Sequence, residues 1–107
     1  MKICLYGSGS KNTPREYTDV GYELGLKIAS NNHSLVFGGG NDGMMGAVAK
    51  GVHDNGGNIM AIAPDWINEF DDPFKGHDEY IKTDSMDERK KLFLEKSDVF
   101  IIAPGGI

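Results

Sequence analysis

Three short apolar segments of the chain each run directly into a turn rich in glycine. These turns are Gly7–Ser10, Gly38–Gly43 and Pro104–Gly106. Glycine has no Cβ, so it tolerates tight turns and lets another group approach the backbone N–H closely. Glycine-rich turns after strands are typical of parallel sheets, in which ligands bind beyond the carboxyl ends of the strands. This feature favours an α/β fold whose strand ends form one binding edge.

The apolar spacing between these turns predicts strands and helices in alternation. Strands are predicted over five segments: Lys2–Tyr6, Ser34–Phe37, Asn58–Ala63, Glu79–Thr83 and Asp98–Ala103. Helices are predicted over Pro14–Ser30, along Met45–Val52, and from the capping box at Ser85 to about Lys96. Alternation indicates right-handed βαβ units, and the continuous apolar strands indicate a sheet covered on both faces. We therefore expect one domain over residues 1–107, a Rossmann-like, doubly wound parallel sheet with helices on both faces.

Composition excludes several functional classes. The 107 residues carry a net charge of −5 with a pI near 5.0, which disfavours a nucleic-acid-binding surface. No signal peptide or apolar run of about 20 residues is present, so we expect a cytoplasmic protein without a membrane partner. The three histidines lack the spacing of metal ligands, and no metal is predicted. The single cysteine, Cys4, lies in an apolar run and is expected to be a buried core thiol.

The second glycine turn has the form of a phosphate-binding loop. Gly38, Gly40 and Gly43 satisfy G-x-G-x-x-G, and Asp65 follows at about the distance of a ribose-binding acid. The motif follows the second strand rather than the first, which leaves an NAD-binding domain as an alternative only. The glycines would also be explained by tight turns and close packing alone. Three glycine turns at one sheet edge favour a mononucleotide enclosed from several sides.

Three motifs in order resemble one family. GGGNDGMMGAVAKG, then Met86-Asp87-Glu88-Arg89-Lys90, then FIIAPGG are similar to the lonely-guy proteins, which are cytokinin riboside 5′-monophosphate phosphoribohydrolases. The resemblance implies hydrolysis of the N-glycosidic bond of a nucleoside 5′-monophosphate, either AMP or a cytokinin ribotide. The products would be the free base and ribose 5-phosphate. Members of this family are typically homodimers that need no metal or redox cofactor.

The resemblance also assigns roles to residues. Arg89 matches the family's catalytic arginine, whereas its catalytic glutamate would fall beyond Ile107. We therefore interpret the chain as an N-terminal portion of a family member, incomplete at its C-terminus and inactive alone. The residues expected to bind substrate are Ser8, Gly39, Gly40, Gly43, Met86, Lys90, Gly105 and Gly106.

Each of these residues also has a purely structural interpretation. Arg89 would otherwise be a solvated helix residue paired with Glu88 or Asp87. Ser8 would be a turn residue and Met86 a packing residue. The aromatic residues Trp66, Phe70 and Phe74 would stack on a base, form a dimer face or simply pack. The alternative function is a non-catalytic nucleotide-binding carrier or regulatory module of the same fold.

Overall fold

The computed structural model describes residues 1–64 and 73–103. These residues form five strands and three helices, in the order β1 (Lys2–Tyr6), α1 (Arg15–Ser30), β2 (Ser34–Phe37), α2 (Gly43–Asp54), β3 (Ile59–Pro64), β4 (Glu79–Thr83), α3 (Met86–Lys96) and β5 (Val99–Ile102). All the predicted elements are confirmed, with small shifts at their ends. No helix within the described residues is long and apolar enough to cross a membrane.

The five strands form one parallel sheet in the order β4-β3-β2-β1-β5. The chain builds the sheet outward from β1 to β4 and then returns to the other side of β1 to place β5. The order therefore reverses between β1 and β5. In open parallel sheets, the crevice for a ligand lies at such a reversal, outside the carboxyl ends of the strands. The predicted Rossmann-like α/β sheet is confirmed.

Helices cover both faces of the sheet, as predicted. Successive side chains of a strand point to opposite faces. On β1, Ile3 and Leu5 belong to a core cluster with residues of α1 and α2. Cys4, between them, belongs to a second cluster with Phe93 of α3. The two clusters show that α1 and α2 lie on one face and α3 on the other.

Glycines bring α1 and α2 into close contact. A Cβ on Gly25 would overlap the carbonyl oxygen of Val48, and a Cβ on Gly51 would overlap that of Tyr22. The added carbon on Gly51 would also lie 3.1 Å from the Cα of Gly25. The backbones of the two helices therefore touch at this crossing, which is why α2 contains glycine despite a cost of about 1 kcal/mol per interior position.

Candidate functional site

A cleft of about 620 Å³ opens beyond the carboxyl ends of β1, β2 and β5. Its volume falls in the range of about 300–1,000 Å³ that is usual for small-molecule sites. The cleft lies beside the reversal of strand order between β1 and β5, where a ligand is expected in this class of sheet. Its lining residues are Leu5, Tyr6, Gly7, Gly38, Met45, Met86, Arg89, Lys90, Phe93, Leu94 and Ile102.

The cleft combines an apolar, partly aromatic wall with two cations. The ring of Tyr6 meets Phe93 edge-on at 5.7 Å between centroids and stacks on Phe100 at 6.1 Å. Burial raises the pKa of Tyr6, with the neighbouring Cys4 adding to the increase and Arg89 opposing it. The cations are Arg89 and Lys90, and none of the described residues that line the cleft is acidic.

Arg89 is the most constrained polar residue of the cleft. Its side chain is buried, with 8% of the residue exposed. Nε donates to the carbonyl oxygen of Ile62 at 2.8 Å, and Nη2 donates to that of Gly38 at 2.8 Å. The guanidinium also lies over the ring of Phe93, 5.4 Å from its centroid. Arg89 thus joins Gly38, directly after β2, to Ile62 within β3, and its alternative interpretation as a solvated helix residue is wrong.

The start of α3 fixes this position of Arg89. The hydroxyl of Ser85 accepts the N–H of Glu88 at 3.1 Å, and the Glu88 carboxylate accepts the N–H of Asp84 at 3.1 Å. The first bond is the predicted Ser85 cap, whereas the second is displaced by one residue, because a capping box would use the N–H of Ser85 itself. Because residues four apart lie on the same helix face, Arg89 and Phe93 both face the sheet. Glu88 therefore stabilises the helix start through the N–H of Asp84 rather than through that of Ser85.

The glycine turn after β2 is shaped by two kinds of constraint. Gly39 and Gly43 have φ angles of +89° and +67°, in the left-handed region that favours glycine. Gly38 faces Arg89, and a Cβ there would overlap the guanidinium. A Cβ on Gly43 would overlap the carbonyl oxygen of Ser8. Turn geometry and close packing thus account for three glycines of this turn, and anion binding by its amides stays a prediction.

The structure places the predicted site residues in two groups. Met86, Arg89 and Lys90 line the cleft itself. The others that the structure describes belong to the two turns beside it: Ser8, Gly39, Gly40 and Gly43. The Ser8 carbonyl oxygen accepts the N–H of Met45 at 3.1 Å, which holds the first turn against the start of α2.

Some predicted residues lie outside the described part of the chain. These are Gly105, Gly106, Trp66, Phe70 and Asp65, the acid of the NAD alternative. Phe74 is described, and it is buried against Phe37 at 6.1 Å and His53 at 5.9 Å between ring centroids. Phe74 is therefore a packing residue. Its backbone N–H donates to the Gly39 carbonyl oxygen at 2.7 Å, which fixes the glycine turn from the α2 side.

The sequence interpretation missed the apolar lining of the cleft. Tyr6 and Ile102 are the last residues of β1 and β5, which the sheet places side by side. Phe93 and Leu94 come from α3, and Met45 comes from the first turn of α2. A strand's last residue is a usable signal for such a lining residue, but only once the neighbouring strands are known.

Potential metal ligands are dispersed in the described ranges 1–64 and 73–103. Within them, no three side chains of His, Cys, Asp or Glu are arranged to hold a metal ion. Within the same ranges, the cleft presents an apolar wall and two cations beside the glycine turns.

A parallel α/β sheet with this cleft at its strand reversal defines a Rossmann-like α/β domain. The model of the SLOG cluster4 family matches residues 1–107, and the chain belongs to that family. The resemblance to the lonely-guy proteins is confirmed by relatives whose similarity extends over nearly the whole chain.

Two plant relatives illustrate this similarity. The probable cytokinin riboside 5′-monophosphate phosphoribohydrolase LOGL9 of Oryza sativa subsp. japonica is 32% identical over 105 residues, 98% of this chain and 46% of the relative. The cytokinin riboside 5′-monophosphate phosphoribohydrolase LOG3 of Arabidopsis thaliana is 33% identical, again over 98% of this chain and 49% of the relative. The chain thus spans about half the length of these relatives.

A solved structure with a different described function has the same fold. The molybdenum cofactor carrier protein of Chlamydomonas reinhardtii superimposes with a TM-score of 0.79 at 25% identity, over 99% of this chain and 62% of the carrier. Proteins named as hydrolases and a protein named as a carrier are therefore both similar to this chain. The residues of the site, rather than the fold, have to distinguish the two functions.

Proposed function

We propose that the complete protein hydrolyses the N-glycosidic bond of a nucleoside 5′-monophosphate, AMP or a cytokinin ribotide, with the cleft as its substrate site. The observation that carries this proposal is the juxtaposition of an apolar, aromatic wall with the buried guanidinium of Arg89. A flat base suits the wall formed by Tyr6, Met45 and Phe93. Lys90, exposed on the helix turn that carries Arg89, supplies a cation for the phosphate.

Arg89 is assigned the catalytic role because its charge is fixed before a ligand arrives. Glycosidic cleavage develops negative charge on the departing base and positive charge on the ribose. The bonds from Arg89 to Gly38 and Ile62 hold the guanidinium in place, so little reorganisation is needed when charge develops nearby. A fixed cation of this kind stabilises the leaving side or orients the phosphate.

The second catalytic group has to be a carboxylate, which stabilises the positive ribose and orients water. The described lining residues include none, since Asp87 and Glu88 are not among them. The proposal therefore assigns this role to the family's glutamate, which the resemblance places beyond Ile107. The residues 1–107 supply the base wall, the cation and part of the phosphate site.

The phosphate is assigned to the glycine turns. Ser8, Gly39, Gly40 and Gly43 lie in the two described turns at the strand ends, and Gly105 and Gly106 complete the proposed set. Backbone N–H groups in such turns bind anions because glycine leaves them accessible. Met86 is assigned to the base side of the cleft, where its thioether faces Arg89.

A homodimer is proposed as the working form, on the resemblance and on exposed apolar surface. Leu94 and Ile102, which also line the cleft, are 67% and 58% exposed, and Phe100, two residues before Ile102 on β5, is 37% exposed. Apolar patches of this kind mark association surfaces. Light scattering of the complete protein tests the assembly, and a monomer at micromolar concentration would contradict it. The cytoplasm is the proposed location, and residues 1–107 are proposed to form one nucleotide-binding domain.

The alternative function is a non-catalytic carrier or regulatory module. It is favoured by the similarity to the molybdenum cofactor carrier protein and by the lack of a carboxylate among the described lining residues. Both functions require a bound anionic ligand, so binding alone does not distinguish them. Release of free base from the nucleotide distinguishes the hydrolase from the carrier.

The decisive experiment is incubation of the full-length protein with AMP, with adenosine as the unphosphorylated control. Free adenine and ribose 5-phosphate are separated by chromatography. We expect adenine from AMP in stoichiometric excess over the protein and none from adenosine. Tight binding of AMP without adenine release would support the carrier. Preference for NAD over AMP in a competition assay would support the dinucleotide-binding alternative.

A further inference from the structure

Two methionines line the cleft, and each places its thioether on a hydrogen-bond donor. The Sδ atom of Met45 lies 3.3 Å from the backbone nitrogen of Gly40 and accepts its N–H. The Sδ atom of Met86 lies 3.6 Å from Nη1 of Arg89. One donor belongs to the proposed phosphate turn, and the other to the proposed catalytic cation.

A thioether is a weak hydrogen-bond acceptor, so a stronger acceptor easily replaces it. Sulfur of methionine accepts hydrogen bonds weakly. A charged oxygen of a phosphate forms bonds about twice as strong as neutral ones to the same donors. The methionine side chain is also unbranched and adapts readily to a changed neighbour. An anionic oxygen that enters the cleft can therefore replace either sulfur at small cost.

We propose that Met45 and Met86 are displaceable acceptors, which occupy the Gly40 N–H and the Arg89 guanidinium until an anionic oxygen of the ligand takes their place. They position the two donors in the unliganded protein and move aside on binding. The ligand class rests on the proposed function, whereas the hydrogen bond between Met45 and Gly40 in the free protein does not. An unphosphorylated ligand leaves the Gly40 N–H with Met45.

The neighbouring Met44 offers a matched control. It precedes Met45 in the first turn of α2, but it is only 4% exposed and its sulfur packs against Gly21 of α1. It is not among the residues that line the cleft. Substitution of any of the three methionines by leucine keeps an apolar side chain of similar size and removes the sulfur.

The direct test follows the methionine methyl groups by NMR in the full-length protein, with resonances assigned from the leucine variants. On titration with AMP, we expect the Met45 and Met86 methyl resonances to shift with the same midpoint as binding, and that of Met44 to stay. Met45→Leu is expected to tighten AMP binding by about two- to threefold, because the ligand no longer competes with a weak internal hydrogen bond. Met44→Leu should leave it unchanged. AMP binding without a shift of either cleft methyl, or with wild-type affinity in Met45→Leu and Met86→Leu, would overturn the inference.

A failure of the proposed function is distinguishable from a failure of this inference. If the wild-type protein does not bind AMP, the nucleotide assignment is wrong, and the inference is decided on the free protein instead. The Gly40 amide should then exchange its hydrogen with solvent faster in Met45→Leu than in Met44→Leu. Equal exchange rates would show that the Met45 thioether accepts no hydrogen bond from the Gly40 N–H.

Discussion

Arg89 and Gly38, separated by 51 positions in the chain, are in direct contact: Nη2 of the arginine donates to the glycine carbonyl oxygen at 2.8 Å. The same contact leaves no room for a Cβ on Gly38. A charged residue of α3 and the first glycine of the turn after β2 are therefore interdependent. This relationship connects the proposed catalytic cation to the proposed phosphate turn.

Substitution of Gly38 by alanine is expected to lower the free energy of unfolding by about 1–3 kcal/mol, the usual cost of overpacking. Gly38 does not have a positive φ, so the new Cβ acts through its overlap with Arg89 rather than through backbone strain. Urea unfolding measures the loss. Gly9→Ala is the control, because a Cβ there meets nothing within 4 Å. The cost should shrink when Arg89 is also replaced by alanine, and an equal cost in both backgrounds would contradict this account.

Arg89→Ala is expected to abolish base release from AMP and also to destabilise the protein by at least about 2 kcal/mol. The second effect follows because the carbonyl oxygens of Gly38 and Ile62 lose a charged donor in a buried place. Lys90→Ala is the control for stability, since its exposed side chain should change the unfolding free energy by no more than about 0.5 kcal/mol. An Arg89→Ala protein as stable as wild type would show that the two hydrogen bonds are unimportant.

The fold was predictable because its signals are local. The strands of this sheet correspond to short apolar runs in the sequence. Ser85 marks a helix start, and the glycines mark the turns. Each signal depends on residues close together in the chain. The faces of the sheet then follow from the alternation along β1, where Cys4 points one way and its neighbours the other.

The site was predictable only in part because its contacts are long-range. A motif predicts Arg89, Met86 and Lys90, but the position of Arg89 depends on the carbonyl groups of Gly38 and Ile62, which are far away in the chain. The aromatic pair of Tyr6 and Phe93 depends on which strand lies beside which helix. No short segment of sequence contains that information.

The helical glycines give a graded test of close packing. Gly25→Ala is expected to lower the unfolding free energy by about 3 kcal/mol or more, because its Cβ would meet backbone of α2, which cannot move aside. Gly21→Ala should cost less, since the nearest atom to its Cβ is the sulfur of the flexible Met44 side chain, at 2.5 Å. Alanine would otherwise stabilise a helix by about 1 kcal/mol at each position. Thermal or urea unfolding of the two variants gives the comparison, and equal costs would contradict the backbone contact.

Because Cys4 is buried, the free energy of unfolding should decrease as the pH rises above about 9, where an exposed thiol ionises. Burial raises the pKa of Cys4 from 9.0 to about 11, against smaller opposing effects of the Ser97 hydroxyl and the charge of Arg89. In the unfolded chain the thiol ionises from about pH 9, whereas the folded protein keeps it neutral. The stabilisation is therefore fully present below pH 9 and is lost as pH rises towards 11, with a total of about 2–3 kcal/mol.

The measurement is the free energy of unfolding in urea at pH 8, 9, 10 and 11, for the wild type and Cys4→Ala. Burial also raises the pKa of Tyr6, and its hydrogen bond to Asp54 raises that of Tyr22, so both proteins lose further stability at the highest pH. The difference between the two proteins reports the thiol together with its charge interaction with Tyr6. The variant begins less stable because it loses buried volume, and the gap should narrow between pH 9 and 11 as only the wild type loses the thiol contribution. A constant gap across this range would show that Cys4 has the same pKa in the folded and unfolded chains.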